Sequence, residues 1–100
     1  MLRISIDENV EMLELKLEGR IAGPWAEELS RVWVETAPRL ATRKLVLDLS
    51  SVTYADSSGT QVLGKIYAQT HADLLAGTLW TQSLAEQISR YGAQTKNEEL

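Results

Sequence analysis

Residues 44–59 have the sequence KLVLDLSSVTYADSSG, and the order of residue types in this stretch decides the fold. The nearly continuous apolar run from Lys44 to Leu49 predicts a central strand that is covered on both faces. Asp56 and the small residues after it predict a turn in which Asp56 is the N-cap of a helix. Apolar residues then recur at helical spacing, so a helix from Ser57 to about Gln69 is predicted.

The N-terminal third of the chain predicts a hairpin followed by a helix. Apolar residues alternate with polar ones around Leu2–Ile6 and Leu13–Leu17, which predicts two antiparallel strands with one buried face, the second ending at Gly19. Gly23-Pro24 is typical of a helix start because proline suits the first helical position. Pro38 is expected to bend or end that helix.

The C-terminal third predicts one more strand and one more helix. Ala72–Leu75 favours a strand, extending at most to Leu79, and Ser83-Leu84-Ala85-Glu86 matches a capping box for a short final helix. The order β-β-α-β-α-β-α predicts an α/β fold, a mixed four-stranded sheet with helices packed on it. We expect one domain over residues 1–91 and a polar, fraying tail over residues 92–100.

Composition limits the class of protein before any motif is considered. One hundred residues make one domain, and a net charge of −4 argues against binding to nucleic acid or to anionic membrane surfaces. The absence of cysteine excludes disulfides and thiolate metal sites and is compatible with a cytoplasmic location. No secretory signal or membrane-spanning apolar run is apparent in the sequence.

The segment Leu45–Val52, three spacer residues, and then Asp56-Ser57-Ser58-Gly59 resembles the core of STAS domains, the bacterial anti-sigma factor antagonists and their relatives. In the phosphorylated antagonists an apolar strand leads into Asp, then Ser or Thr, any residue, and Gly. The residue after the Asp accepts the phosphate. By position this acceptor is Ser57, with Ser58 as the alternative, and a weaker resemblance extends over about residues 2–91.

The resemblance implies a regulatory protein, not an enzyme. It would bind a cytoplasmic anti-sigma factor with serine kinase activity, and phosphorylation at Ser57 would turn that binding off. The implied partner-binding residues are Gly19, Arg20, Asp56, Ser57, Ser58, Gly59, Thr60 and Gln61. No catalytic residue, metal ion or cofactor is implied, and nucleic acid and direct membrane contact are not expected. Self-association as a homodimer stays open.

Two interpretations of Ser57 stay open from local chemistry. A serine at a helix start commonly only helps to cap the helix, whereas a phosphorylated one adds about two negative charges at neutral pH. Phosphorylated antagonists often carry Asp where Ala22 stands in this chain. The alternative function is therefore a non-phosphorylated STAS adaptor, a subunit of a lipid-transport ABC complex or of a stress-signalling assembly.

Patterns that would indicate an enzyme are incomplete. Gly59–Lys65 fits the first seven positions of a nucleotide-binding Walker motif, but Ile66 replaces the required hydroxyl and the glycines fall inside a predicted helix. His71 is the only histidine, so a zinc site lacks ligands. The Gly-x-Ser-x-Gly pattern of serine hydrolases is absent from the sequence.

Overall fold

The structure, a computed structural model, describes the backbone of residues 1–98 and the side chains of residues 1–90. Its elements along the chain are β1 (Leu2–Glu8), β2 (Met12–Ile21), α1 (Pro24–Leu40), β3 (Lys44–Ala55), α2 (Ser57–Thr70), β4 (Asp73–Leu75) and α3 (Leu79–Glu98). The predicted order β-β-α-β-α-β-α is confirmed. Within the described residues, no helix has both the length and the apolar character needed to cross a membrane.

The four strands form one mixed sheet in the order β1-β2-β3-β4. β1 and β2 are antiparallel and form the predicted hairpin, whereas β3 runs parallel to both β2 and β4. Because α1 and α2 each connect neighbouring parallel strands, the starts of both helices follow the carboxyl ends of β2 and β3. This topology brings the loop before α1 close to the loop before α2.

One hydrophobic core holds all three helices against a single face of the sheet. Its members come from every helix and from alternate positions of the strands: Leu2, Leu13, Leu15, Leu17, Ile21, Ala26, Leu29, Trp33, Leu45, Leu47, Leu49, Val52, Leu63, Ile66, Ala72, Leu84 and Ile88. β1, β2 and β3 therefore contribute one apolar face each, as alternation along a strand requires, and the partly buried Leu74 of β4 packs against the same core.

The expectation that β3 is covered on both faces is wrong. Val46 is buried, but Ser50, on the same face, is exposed. The carboxylate of Asp48 accepts hydrogen bonds from the backbone N–H of Ser50 at 3.0 Å and from its hydroxyl at 2.6 Å. These polar groups satisfy each other without a covering helix, so this face of the sheet tolerates contact with water.

The predicted end of β2 at Gly19 is also wrong, since the strand continues to Ile21. Gly19 has φ +102°, and an added Cβ would overlap the carbonyl oxygen of Met1. The pairing register of β2 with β3 shifts twice, once between Lys16 and Glu18 and again between Gly19 and Arg20. Glycine is therefore needed at this irregularity of the strand, because it tolerates positive φ and the close approach of another backbone.

Pro38 lies inside α1, which continues to Leu40. Proline has no backbone N–H, so the carbonyl of Val34 loses its usual helical donor. Pro38 lies in the last turn of α1, where a single lost hydrogen bond does not end the helix before Leu40.

α3 begins four residues before the predicted capping box at Ser83. The backbone N–H of Thr81 donates to the hydroxyl of Thr78 at 3.1 Å, and the N–H of Thr78 donates to the hydroxyl of Thr81 at 2.9 Å. These reciprocal bonds perform the role of a capping box with threonine in both positions. The predicted domain boundary at residues 91–92 falls within α3, which continues to Glu98, and residues 99–100 of the predicted tail lie outside the described residues.

Candidate functional site at the start of α2

Asp56 connects the start of α2 with the loop that precedes α1. Its Oδ1 accepts a hydrogen bond from the backbone N–H of Gly59 at 2.8 Å, which confirms the predicted N-cap. Its Oδ2 accepts a second hydrogen bond, from the backbone N–H of Gly23 at 3.0 Å. One carboxylate thus satisfies a donor at each of two neighbouring helix starts.

α1 has no side-chain cap of its own: Gly23 is its N-cap residue, has φ +56°, and carries no side chain that could accept a hydrogen bond. The N–H of Ala26, which a capping side chain would bind, donates instead to the carbonyl of Gly23 at 3.1 Å. The carboxylate of Asp56 binds the N–H of Gly23 itself and so fixes the N-cap residue from a different loop. Hydrogen bonds from the N–H groups of Gly59 and Gly23 hold the pKa of Asp56 below its usual value, so its negative charge persists at neutral pH.

The backbone around Asp56 is fixed by contacts with the end of β2. The N–H of Asp56 donates to the carbonyl of Ile21 at 3.2 Å, and the N–H of Thr60 donates to the carbonyl of Asp56 at 2.9 Å. Gly59 is buried, and an added Cβ would overlap the carbonyl oxygen of Ile21. The close approach that Gly59 permits is therefore between α2 and β2 of the same chain.

Ser57 and Ser58 are both exposed, but they occupy different surroundings. Ser58 and Gln61 line a groove of about 370 Å³ between α1 and α2, together with Gly23, Ala26, Glu27, Ser30, Val62 and Lys65. Ser57, the first residue of α2, lies outside this groove. Ser57 and Ser58 therefore face different surroundings.

Arg20 lies at the edge of this site, at the end of β2. Its guanidinium group lies over the ring of Tyr54, 4.6 Å from the ring centroid, and the two residues face each other across the β2–β3 register. A cation over an aromatic ring is attracted by the negative face of that ring, which orders the long side chain. Gly19 is the other residue of β2 that was predicted to bind a partner. It lies close to Met1 instead and makes no described contact with Asp56.

Two residues of the site were absent from the sequence prediction, Gly23 and Tyr54. Gly23 had a partial signal, because Gly23-Pro24 predicts a helix start without a capping side chain. That pattern does not indicate which group accepts the N–H of Gly23. Tyr54 had no comparable signal because its pairing with Arg20 depends on the register shift after Gly19.

The enzyme-like patterns of the sequence do not form a site in the described residues. Gly59–Lys65 lies within α2, as predicted. The N–H of Gly59 is taken by Asp56 and the N–H of Thr60 begins the helical hydrogen bonds, so this segment does not form a loop that cradles a phosphate. His71 is the C-cap of α2, exposed, with its ring edge-on to Tyr67 at 5.9 Å. In residues 1–90 no three His, Cys, Asp or Glu side chains group as metal ligands.

Comparison with known families agrees with this geometry. A family model described as "Mlab, STAS domain" matches residues 4–94, which is nearly the whole chain. The chain belongs to the STAS domain family. STAS domains commonly mediate protein–protein interactions.

Solved structures support the same fold. The STAS domain resembles a structure described as "Crystal Structure Analysis of Mglu", with a TM-score of 0.59 and 18% sequence identity over 74% of this chain. The chain spans only 19% of the length of that protein, and at this identity the likeness concerns the fold alone. Among curated proteins, none gives a significant match.

Proposed function

We propose that this STAS domain is an anti-sigma factor antagonist that binds a cytoplasmic anti-sigma factor with serine kinase activity. It acts as a binding protein and not as an enzyme, and the binding surface surrounds the start of α2. Phosphorylation of Ser57 releases the partner. The observation that carries this proposal is the position of Ser57, exposed at the first residue of α2 and directly after the anchored Asp56.

An exposed serine at a rigid helix start suits a kinase substrate that also serves as a docking surface. The hydroxyl of Ser57 is accessible, while Asp56 and Gly59 keep the backbone beneath it in place through the 2.8 Å cap bond. The partner can therefore recognise a preformed surface and pays little ordering entropy on binding.

The effect of phosphorylation follows from charge. A phosphate on Ser57 adds about two negative charges beside the carboxylate of Asp56, which is already negative at neutral pH. The N-terminus of α2 offsets part of this repulsion within the folded domain. A partner docked over the same residues would have to bury the new charge, so binding is lost while the fold is kept.

A second function is favoured by Ala22. This residue lies in the loop before α1, next to Gly23, whose N–H is bound by Asp56. Phosphorylated antagonists often have an Asp at this position, and alanine provides no carboxylate there. The second candidate is therefore a non-phosphorylated STAS adaptor subunit of a lipid-transport ABC complex or a stress-signalling assembly, which would use the same surface without the switch.

The test captures partners from native lysate with four versions of the protein: wild type, Ser57→Ala, Ser57→Asp and Ser83→Asp. Mass spectrometry identifies what each version retains, and circular dichroism confirms that all four are folded. Ser83→Asp is the matched control because it adds the same charge at an exposed serine of α3, outside the residues assigned to partner binding.

We expect a kinase-like anti-sigma factor to be held by wild type, Ser57→Ala and Ser83→Asp and lost by Ser57→Asp. The captured partner with ATP should then phosphorylate wild type at Ser57 but leave Ser57→Ala unmodified. Equal binding by both Asp variants would contradict the switch. A transport subunit held equally by all four versions would identify the adaptor function instead.

A further inference from the structure

We propose that this STAS domain self-associates through the free edge of β1, which pairs antiparallel with β1 of a second copy. The two strands are centred on Ser5, and the two four-stranded sheets become one continuous sheet. This inference concerns the edge of the sheet and does not depend on the partner proposed for the start of α2.

The two edges of the sheet differ in length. β4, at one edge, has three residues, whereas β1, at the other edge, has seven. A short strand offers little backbone for pairing, while a long and regular one is a template for another strand. β1 contains no proline and pairs with β2 in unbroken register along its whole length, so its free side is straight enough to pair again.

The hydrogen bonds at both ends of the hairpin show which backbone groups of β1 are free. The N–H of Arg20 donates to the carbonyl of Met1 at 3.0 Å, and the N–H of Asn9 donates to the carbonyl of Met12 at 2.9 Å. In the observed register these contacts turn the odd-numbered residues of β1 toward β2. The N–H and C=O groups of Leu2, Ile4, Ile6 and Glu8 therefore face the open edge.

The charges of β1 select one register for a second copy. Antiparallel pairing of all seven residues is possible only when Ser5 lies opposite Ser5 of the second copy. In this register Arg3 of each copy lies opposite Asp7 of the other, so two such pairs form. Both side chains are exposed and lie on the face of the sheet opposite the helices. Opposite charges directly across two strands attract, so the full-length register is also the electrostatically favoured one.

The apolar side of β1 is also complementary to a second copy. A groove of about 580 Å³ separates β1 from α1, and its lining includes Ile4, Ile6, Trp25 and Val32. Ile6 is 39% exposed and Trp25 is 38% exposed. Pairing about Ser5 places Ile4 beside Ile6 of the second copy and both α1 helices on the same side of the sheet. The half-exposed apolar groups of the two copies then cover each other.

The negative charge of Glu8, at the end of β1, does not disfavour the pairing of two copies. Glu8, which would lie opposite Leu2 of the second copy, already pairs with Arg39 and with Arg43, the latter at 3.0 Å. Its charge is thus compensated within its own chain, so it presents no unpaired anion to the second copy.

Sedimentation equilibrium over a wide range of concentration tests the proposal with full-length chains. We expect wild type to dimerise, and Arg3→Asp and Asp7→Arg each to weaken dimerisation roughly tenfold or more, because each change places like charges opposite each other twice. An equimolar mixture of the two variants should regain association as a heterodimer, since both cross-strand pairs are then again of opposite charge. The double variant Arg3→Asp/Asp7→Arg should dimerise by itself for the same reason.

A monomeric wild type at every concentration would overturn the proposal, and so would single variants that associate like wild type. Failure of the mixture to associate would overturn it as well. Amide hydrogen exchange on wild type supplies a measurement that needs no substitution. The amides of Leu2, Ile4, Ile6 and Glu8 should become protected as concentration rises, and exchange that is independent of concentration at these positions contradicts β1 pairing.

Discussion

Gly23 and Asp56 are separated by 33 positions in the sequence, yet the N–H of Gly23 donates a 3.0 Å hydrogen bond to Oδ2 of Asp56. The same carboxylate accepts the N–H of Gly59 through Oδ1. The beginning of α1 and the beginning of α2 therefore share one acceptor. Substitutions at residue 56 should reveal how much each of these two hydrogen bonds contributes to the stability of the fold.

We expect the melting temperature at pH 7 to fall in the order wild type, Asp56→Asn, Asp56→Ala. Asparagine has one carbonyl oxygen and can keep the cap of α2 while it loses the bond to Gly23, whereas alanine loses both. The fall for Asp56→Ala should be roughly 4–8 °C, as expected for a lost helix cap in a domain of this size. Thermal unfolding followed by circular dichroism measures it. Equal melting temperatures for Asp56→Asn and wild type would show that the hydrogen bond between Gly23 and Asp56 contributes nothing to thermal stability.

The difference between wild type and Asp56→Asn should depend on pH. The folded pKa of Asp56 lies below its usual value of 3.8, so the ionised carboxylate stabilises the fold fully above that value. This stabilisation is lost as the pH falls below 3.8 through the lower folded pKa. Melting temperatures measured from pH 7 to pH 2 should therefore converge in acid, because asparagine does not titrate. A constant difference across that range would contradict the role of the charge.

Gly59→Ala should destabilise the domain by about 3 kcal/mol or more, because the added methyl group meets the backbone carbonyl of Ile21 and a backbone cannot rotate away. Gly77→Ala is the matched control, since its Cβ would lie 3.2 Å from the Cβ of Ser50, a side chain. We expect less than about 1 kcal/mol there. Urea unfolding of both variants measures the difference, and similar losses at the two glycines would argue against the steric explanation.

The contact between Arg20 and Tyr54 should be measurable as a coupling energy. A double-mutant cycle with Arg20→Gln and Tyr54→Leu isolates the pair from the other effects of each substitution. We expect a coupling of about 0.5–1 kcal/mol, the range for an exposed cation over an aromatic ring. Urea unfolding of the four proteins supplies the numbers. Strictly additive losses would mean that Arg20 is not held by Tyr54.

The sequence predicted features whose determinants are close together along the chain. Asp56 as the cap of α2 depends on residues three positions apart, and the hairpin of β1 and β2 depends on alternation within each strand. Local propensity and periodicity therefore suffice for these elements.

Features that depend on distant residues could not be predicted in the same way. The apolar run of β3 is compatible with one covered face or two, and the positions of all three helices decide between them. By local rules a glycine such as Gly19 commonly ends a strand. Here the N–H of Arg20 donates to the carbonyl of Met1, so the strand continues past Gly19. The start of α3 was misplaced because Thr78 and Thr81 form a capping pair that lacks the usual Glu or Gln.

The hydrogen bond between Gly23 and Asp56 also limits how this domain can diverge. Surface loops generally accept inserted residues at small cost. The turn between β2 and α1, however, has only Ala22 and Gly23, and it supplies a donor to the other loop. One inserted residue would move that donor away from Asp56. The two loops must therefore keep matching lengths, and we expect sequence variation around this site to occur by substitution and not by insertion.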